Sequence, residues 1–153
     1  MPDVYQGSEF WETSLVDPDN RRRVDFDERR RVLAELDAGA LPDIDDAAAA
    51  KLLVTSRVQR LRRDRPELFT RYLPVSALGS AAEHVIAFDR GGSVTLATRL
   101  PVGLEAAGGW GDTVVLLPQR EMVDVITGVE HQGGELHVAS VLGRYPVALL
   151  AAS

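Results

Sequence analysis

Apolar positions along the chain change their period near its middle. Up to about residue 75 they recur at helical spacing, and after residue 80 they fall in short runs broken by glycines. A first helix is predicted from Phe26 to Ala38, with Asp25 as N-cap, Asp27 and Glu28 at the positive end of the dipole, and Gly39 as the stop. Arg31 and Glu35 stand i,i+4 on it. A second helix follows the acids Asp43, Asp45 and Asp46. Ala47, Ala50, Val54, Val58 and Leu61 form its apolar stripe, Arg57, Arg60, Arg62 and Arg63 crowd its C-terminal end, and Pro66 lies just beyond. Val32, Leu33, Leu36, Val54, Val58 and Leu61 are expected to face a common core. Upstream, Val4-Tyr5 reads as a short extended segment, Ser8 to Thr13 as a brief helical stretch, and Asp17-Pro18-Asp19-Asn20 as a turn.

Strands are predicted near His84–Phe88, Val94–Arg99, Thr113–Leu117, Val123–Ile126, Leu136–Ser140 and Val147–Ala151. Gly91-Gly92, Gly108-Gly109, Gly128 and Gly133-Gly134 punctuate them, and Asp89-Arg90-Gly91-Gly92 is a good hairpin turn. Six strands at this spacing suggest a small antiparallel sandwich. A boundary is expected between Pro74 and Ser80, separating residues 1–75 from residues 76–153. Charge follows the same division: residues 1–75 hold 13 of the 17 Lys and Arg and 15 of the 23 Asp and Glu. The first part, with two helices and one strand, cannot form a core of its own. The two halves thus belong to different architectures, helices and then strands, an α+β chain that is odd for an independent protein.

Composition narrows the picture further. The 153 residues are 45% hydrophobic and 26% charged, which excludes disordered and low-complexity classes. No cysteine is present, so disulfides, thiolate zinc sites and thiol nucleophiles are excluded. A net charge of −6 offers no bulk attraction to phosphate backbones. No apolar run approaches the roughly 20 residues needed to span a bilayer, and Met1-Pro2-Asp3 does not open a signal peptide. The expectation is a cytoplasmic protein with no membrane or nucleic-acid partner.

Asp3-Val4-Tyr5-Gln6-Gly7-Ser8-Glu9, followed by Asp17-Pro18-Asp19-Asn20-Arg21-Arg22, resembles the end of the (β/α)8 barrel in the α-amylase superfamily (glycoside hydrolase family 13). There the last strand reads apolar-Tyr-x-Gly-x-Glu. Gln6, Trp11, the DPDNRR run and Leu61-Arg62-Arg63-Asp64-Arg65-Pro66-Glu67-Leu68-Phe69 narrow the resemblance to the maltooligosyltrehalose synthases. Ala97-Thr98-Arg99-Leu100-Pro101, Gly108-Gly109-Trp110-Gly111-Asp112-Thr113 and Arg144-Tyr145-Pro146-Val147-Ala148-Leu149-Leu150 look like that family's C-terminal domain. The resemblance implies the last barrel strand, loop and helices over residues 1–75 and a C-terminal β-sandwich over residues 76–153.

It also implies an intramolecular transglycosylation, turning the reducing-end α-1,4 bond of a maltooligosaccharide into an α,α-1,1 bond, with no cofactor. The carboxylates for that chemistry lie on earlier barrel strands, so this chain holds no catalytic residue and is expected to be inactive alone. Its implied partners are the maltooligosaccharide and the missing N-terminal part of the barrel. The implied substrate-binding residues are Tyr5, Gln6, Glu9, Asp17, Asn20, Arg21 and Arg22, at the C-terminal rim of the barrel. For each, two roles stay open. Tyr5, Gln6 and Glu9 line or brace the sugar site, or Tyr5 packs in the barrel and Glu9 satisfies local backbone. Asp17, Asn20, Arg21 and Arg22 bind sugar hydroxyls, or form a capped loop with a structural Arg–Asp pair.

Other chemistry is weaker. An EF-hand reading of Asp17-x-Asp19-Asn20 has Glu28 at its twelfth position but Arg22 where the sixth must be glycine, and three arginines add positive charge, so calcium is not expected. The five arginines between Arg57 and Arg65 suit a helix C-terminus better than nucleic acid. His84, His131 and His137 have no third ligand fixed by spacing, and no G-x-S-x-G elbow exists. Trp110, in a glycine-rich stretch, reads as a plug between the sandwich and the barrel in preference to a sugar-stacking platform, whereas Trp11 either stacks on sugar or packs under the short helix. The rival reading of the whole chain is a free-standing β-sandwich module that binds carbohydrate or a partner without catalysis.

Overall fold

The computed structural model describes residues 7–13, 21–45 and 47–152. The Val4-Tyr5 segment, the Asp17–Asn20 turn and Asp46 lie outside them. Contacts divide the chain into two compact units, residues 1–57 and 58–153. The division falls inside the second helix.

In the first unit, helix α1 runs Phe26–Asp37, and Asp25 caps it by accepting the Glu28 amide at 2.9 Å. Arg31 reaches both Glu28 and Glu35 at 2.6 Å, and its hydrogen bond holds the Glu28 carboxyl below the usual carboxylate range. Helix α2 runs Ala49–Asp64. Val32 and Leu36 are buried on α1 as expected, with Leu33 half-buried. On α2 the buried face is turned from the predicted one: Ala50, Leu52 and Leu53 are buried, Val54, Val58 and Leu61 are half-buried, and Ala47 is exposed ahead of the helix. Two leucines remove more apolar area from water than the valines beside them, and they decide the face. Ser8 to Thr13 is not helical.

In the second unit a 3-10 turn, Pro66–Phe69, precedes two antiparallel sheets. Strands β1 (Leu73–Pro74), β2 (Ala77–Leu78), β3 (Val85–Asp89) and β4 (Ser93–Thr98) come before the short helix α3 (Pro101–Ala106). Strands β5 (Val114–Leu117), β6 (Met122–Asp124), β7 (Glu130–His131) and β8 (Gly134–His137) follow, then the single turn α4 (Val138–Val141) and β9 (Val147–Ala152). One sheet has the order β1-β3-β4-β9-β6-β7 and the other β2-β5-β8. Their inner faces share one core: Val85, Ala87, Val94 and Leu96 from the first, Val115, Leu117 and Leu136 from the second. Trp110 packs against this core.

All six predicted strands appear, with bounds shifted by at most three residues. The fifth is shorter than expected, because the chain turns into α4 at Val138, whose amide donates to the Thr113 carbonyl at 3.0 Å. The Asp89–Gly92 hairpin is present: Asp89 accepts the amides of Gly91 at 2.5 Å and Gly92 at 3.2 Å. Gly79 turns at φ 118 with the Thr113 backbone so close that a Cβ would stand 2.6 Å from its Cα.

Candidate functional site

The candidate site lies in the first unit, where two helices reach back to hold the segment Gly7–Trp11. Arg29, on α1, donates to the Glu9 carboxylate at 3.3 Å and to the carbonyls of Gly7 and Asp25, and its guanidinium stands 4.7 Å from the Phe10 ring centroid. The other Glu9 oxygen accepts the Gly7 amide at 3.1 Å. A charge-assisted pair of this kind, largely shielded from water, is stronger than a neutral bond. Lys51, on α2, donates to the carbonyls of Ser8 at 2.7 Å and Phe10 at 2.8 Å. Its ammonium also lies 5.4 Å from the Trp11 ring centroid. The Trp11 indole donates to the Asp45 carbonyl at 2.8 Å, yet the residue stays 53% exposed.

Of the predicted site residues, Tyr5, Gln6, Asp17 and Asn20 lie outside the described residues. Glu9 is half-buried in the clamp just described. Arg21 and Arg22 are exposed, ahead of α1. Just after them, Arg23, Asp25, Phe26, Asp27 and Arg30 line an open concavity. Arg29 and Lys51 escaped sequence reasoning. Each sits inside a helix, and no local pattern tells that its side chain serves a distant loop.

Elsewhere, Arg63 pairs with Asp64 at 2.6 Å and Arg65 with Glu67 at 3.1 Å, so arginines of this cluster are engaged with neighbouring acids. Asp112 accepts the Ser80 amide and hydroxyl, both at 2.8 Å, and these bonds hold its carboxyl below the usual range. Among the described residues no group of three His, Asp or Glu could hold a metal ion, and no helix is long and apolar enough to cross a membrane.

No family model matches the chain. Two proteins of Mycobacterium tuberculosis, from strains CDC 1551 and H37Rv and assigned as maltooligosyl trehalose synthase, are each 42% identical over 98% of this chain. The solved maltooligosyltrehalose synthase of Arthrobacter ramosus is 58% identical, with a TM-score of 0.95 over 99% of this chain. A solved glycosyltrehalose synthase is 28% identical, with a TM-score of 0.72 over the same share. The chain spans only 18% of the mycobacterial proteins and 20% of the Arthrobacter chain. In sequence and in fold alike, it corresponds to a C-terminal portion of maltooligosyltrehalose synthase.

Proposed function

We propose that this chain supplies the closing part of a maltooligosyltrehalose synthase of the α-amylase superfamily and works in the cytoplasm. Residues 1–75 are the last strand, loop and helices of the (β/α)8 barrel, and residues 76–153 the C-terminal β-sandwich. The observation that carries this reading is the 58% identity and TM-score of 0.95 to the Arthrobacter enzyme over nearly the whole chain.

The reaction breaks the bond from C1 of the penultimate glucose to O4 of the reducing-end glucose. It then joins that C1 to O1 of the same terminal unit, so no water is consumed and one reducing end is lost. Retention of configuration calls for a nucleophilic carboxylate and an acid/base about 5–5.5 Å apart. Both belong to barrel strands that precede this chain. Glu9, held by Arg29 and the Gly7 amide, is suited to shaping the rim and not to attacking a sugar. Tyr5, Gln6, Asp17, Asn20, Arg21 and Arg22 are proposed to border the maltooligosaccharide. The arginine forks would serve its hydroxyls.

The test uses maltopentaose and a reducing-end assay. The isolated 153-residue chain is expected to leave reducing ends at the level of a buffer control. A chimera in which it replaces the matching fifth of the Arthrobacter synthase should consume them. Activity of the isolated chain, or a chimera that melts cooperatively yet stays inactive, overturns the proposal.

A further inference from the structure

We infer that Trp11 is a stacking plate for a glucosyl unit of an α-1,4-glucan, set in place by Lys51 and Asp45. This deepens the proposed function and rests on it. The sequence left Trp11 between two roles, and the structure removes one: Ser8 to Thr13 forms no helix for it to pack under. Its single donor is already taken by the Asp45 carbonyl, so what the indole still offers is the ring face that Lys51 does not cover. An aromatic face carries negative charge density and suits the polarised C–H bonds of a sugar's apolar side.

A tryptophan that serves stability is normally covered, and one left on the surface by chance has no reason to be held. Trp11 is more than half exposed and held from two sides, by the Asp45 carbonyl and by the Lys51 ammonium. The segment that carries it is held too. Lys51 binds the carbonyls of Ser8 and Phe10, and Arg29 binds Gly7 and Glu9 and covers Phe10. A plate fixed before the ligand arrives loses little side-chain freedom on binding. Lys51 and Arg29 are thus positioning residues, and Trp11 is the group that meets the sugar.

The chain has two tryptophans, so Trp110→Phe leaves Trp11 as the sole indole reporter. In that background the 153-residue chain, titrated with maltoheptaose, should show a saturable change in indole emission that glycerol at equal mass does not produce. Lys51→Met should raise acrylamide quenching of Trp11 and weaken the apparent sugar affinity about fivefold, and Lys51→Arg should restore both. In the chimeric synthase, Trp11→Ala should raise KM for maltopentaose about tenfold without lowering the melting temperature. Trp11→Phe, which keeps a ring, should raise it less. An emission unmoved by maltoheptaose overturns the inference, as does a wild-type KM in the Trp11→Ala chimera. If the unmutated chimera is folded but inactive, the functional reading fails, and the emission titration alone decides the role of Trp11.

Discussion

Asp89 shows how one carboxylate holds a turn. One oxygen gathers the amides of Gly91 and Gly92, and the other meets Arg71 at 2.8 Å. Partial burial pushes the carboxyl up, but the Gly91 amide, the Arg71 guanidinium and the Gly92 amide together outweigh it, and the group is held below the usual carboxylate range. Arg71 is 56% exposed, so solvent screens its share and the amides matter more. A depressed carboxyl stabilises the fold above its unfolded value, near 3.9, and loses that contribution as pH falls through its lower folded value. Asp89→Asn should therefore cost about 1–3 kcal/mol at pH 7. In urea titrations the gap to wild type should close below about pH 4. A gap that stays constant down to pH 2 would show that the charge plays no part.

At the scale of elements, α1 rests on its first turn. Asp25→Ala should cost about 1 kcal/mol. Asp27→Ala loses only an exposed pair with Arg30 and some dipole stabilisation, so it should cost a few tenths. Urea midpoints of the two variants separate the cap from the charge. Such local rules explain what could be read in advance. Asp25, Glu28 and Gly39 lie within one turn of the helix ends they govern, and the Asp89–Gly92 turn binds itself. The two-residue strands β1, β2 and β7 are too short to show any period. α3 carried a single signal, Pro101 in its first turn, and it went unread. Gly7–Trp11 was misread for a different reason. Its geometry is imposed by Arg29 and Lys51, whose side chains cross from helices far along the chain. The candidate site was thus legible in Glu9 and Trp11, and illegible in the two cations that hold them.

Across the whole molecule, the two sheets share a core that leans on a few fully buried side chains. Leu96, from β4, is one of them, whereas Leu116, on the outer face of β5, is 55% exposed. Leu96→Ala should cost about 2–5 kcal/mol, and Leu116→Ala within about 0.5 kcal/mol of nothing. Calorimetry of the two variants gives the contrast directly, and equal losses would contradict the shared core. β9 also has a kinetic meaning. It pairs with β4 through Leu96↔Ala148 and with β6 through Val123↔Ala151, so a strand distant in sequence must insert between two others. Pairings of that kind close large loops before any contact rewards them, and they are slow. Until β9 arrives, β4 and β6 present open edges to any other chain in solution. Refolding should therefore be first order and complete when the protein is dilute. At higher concentration it competes with aggregation, and the time β9 takes to find its gap sets the concentration at which that competition begins.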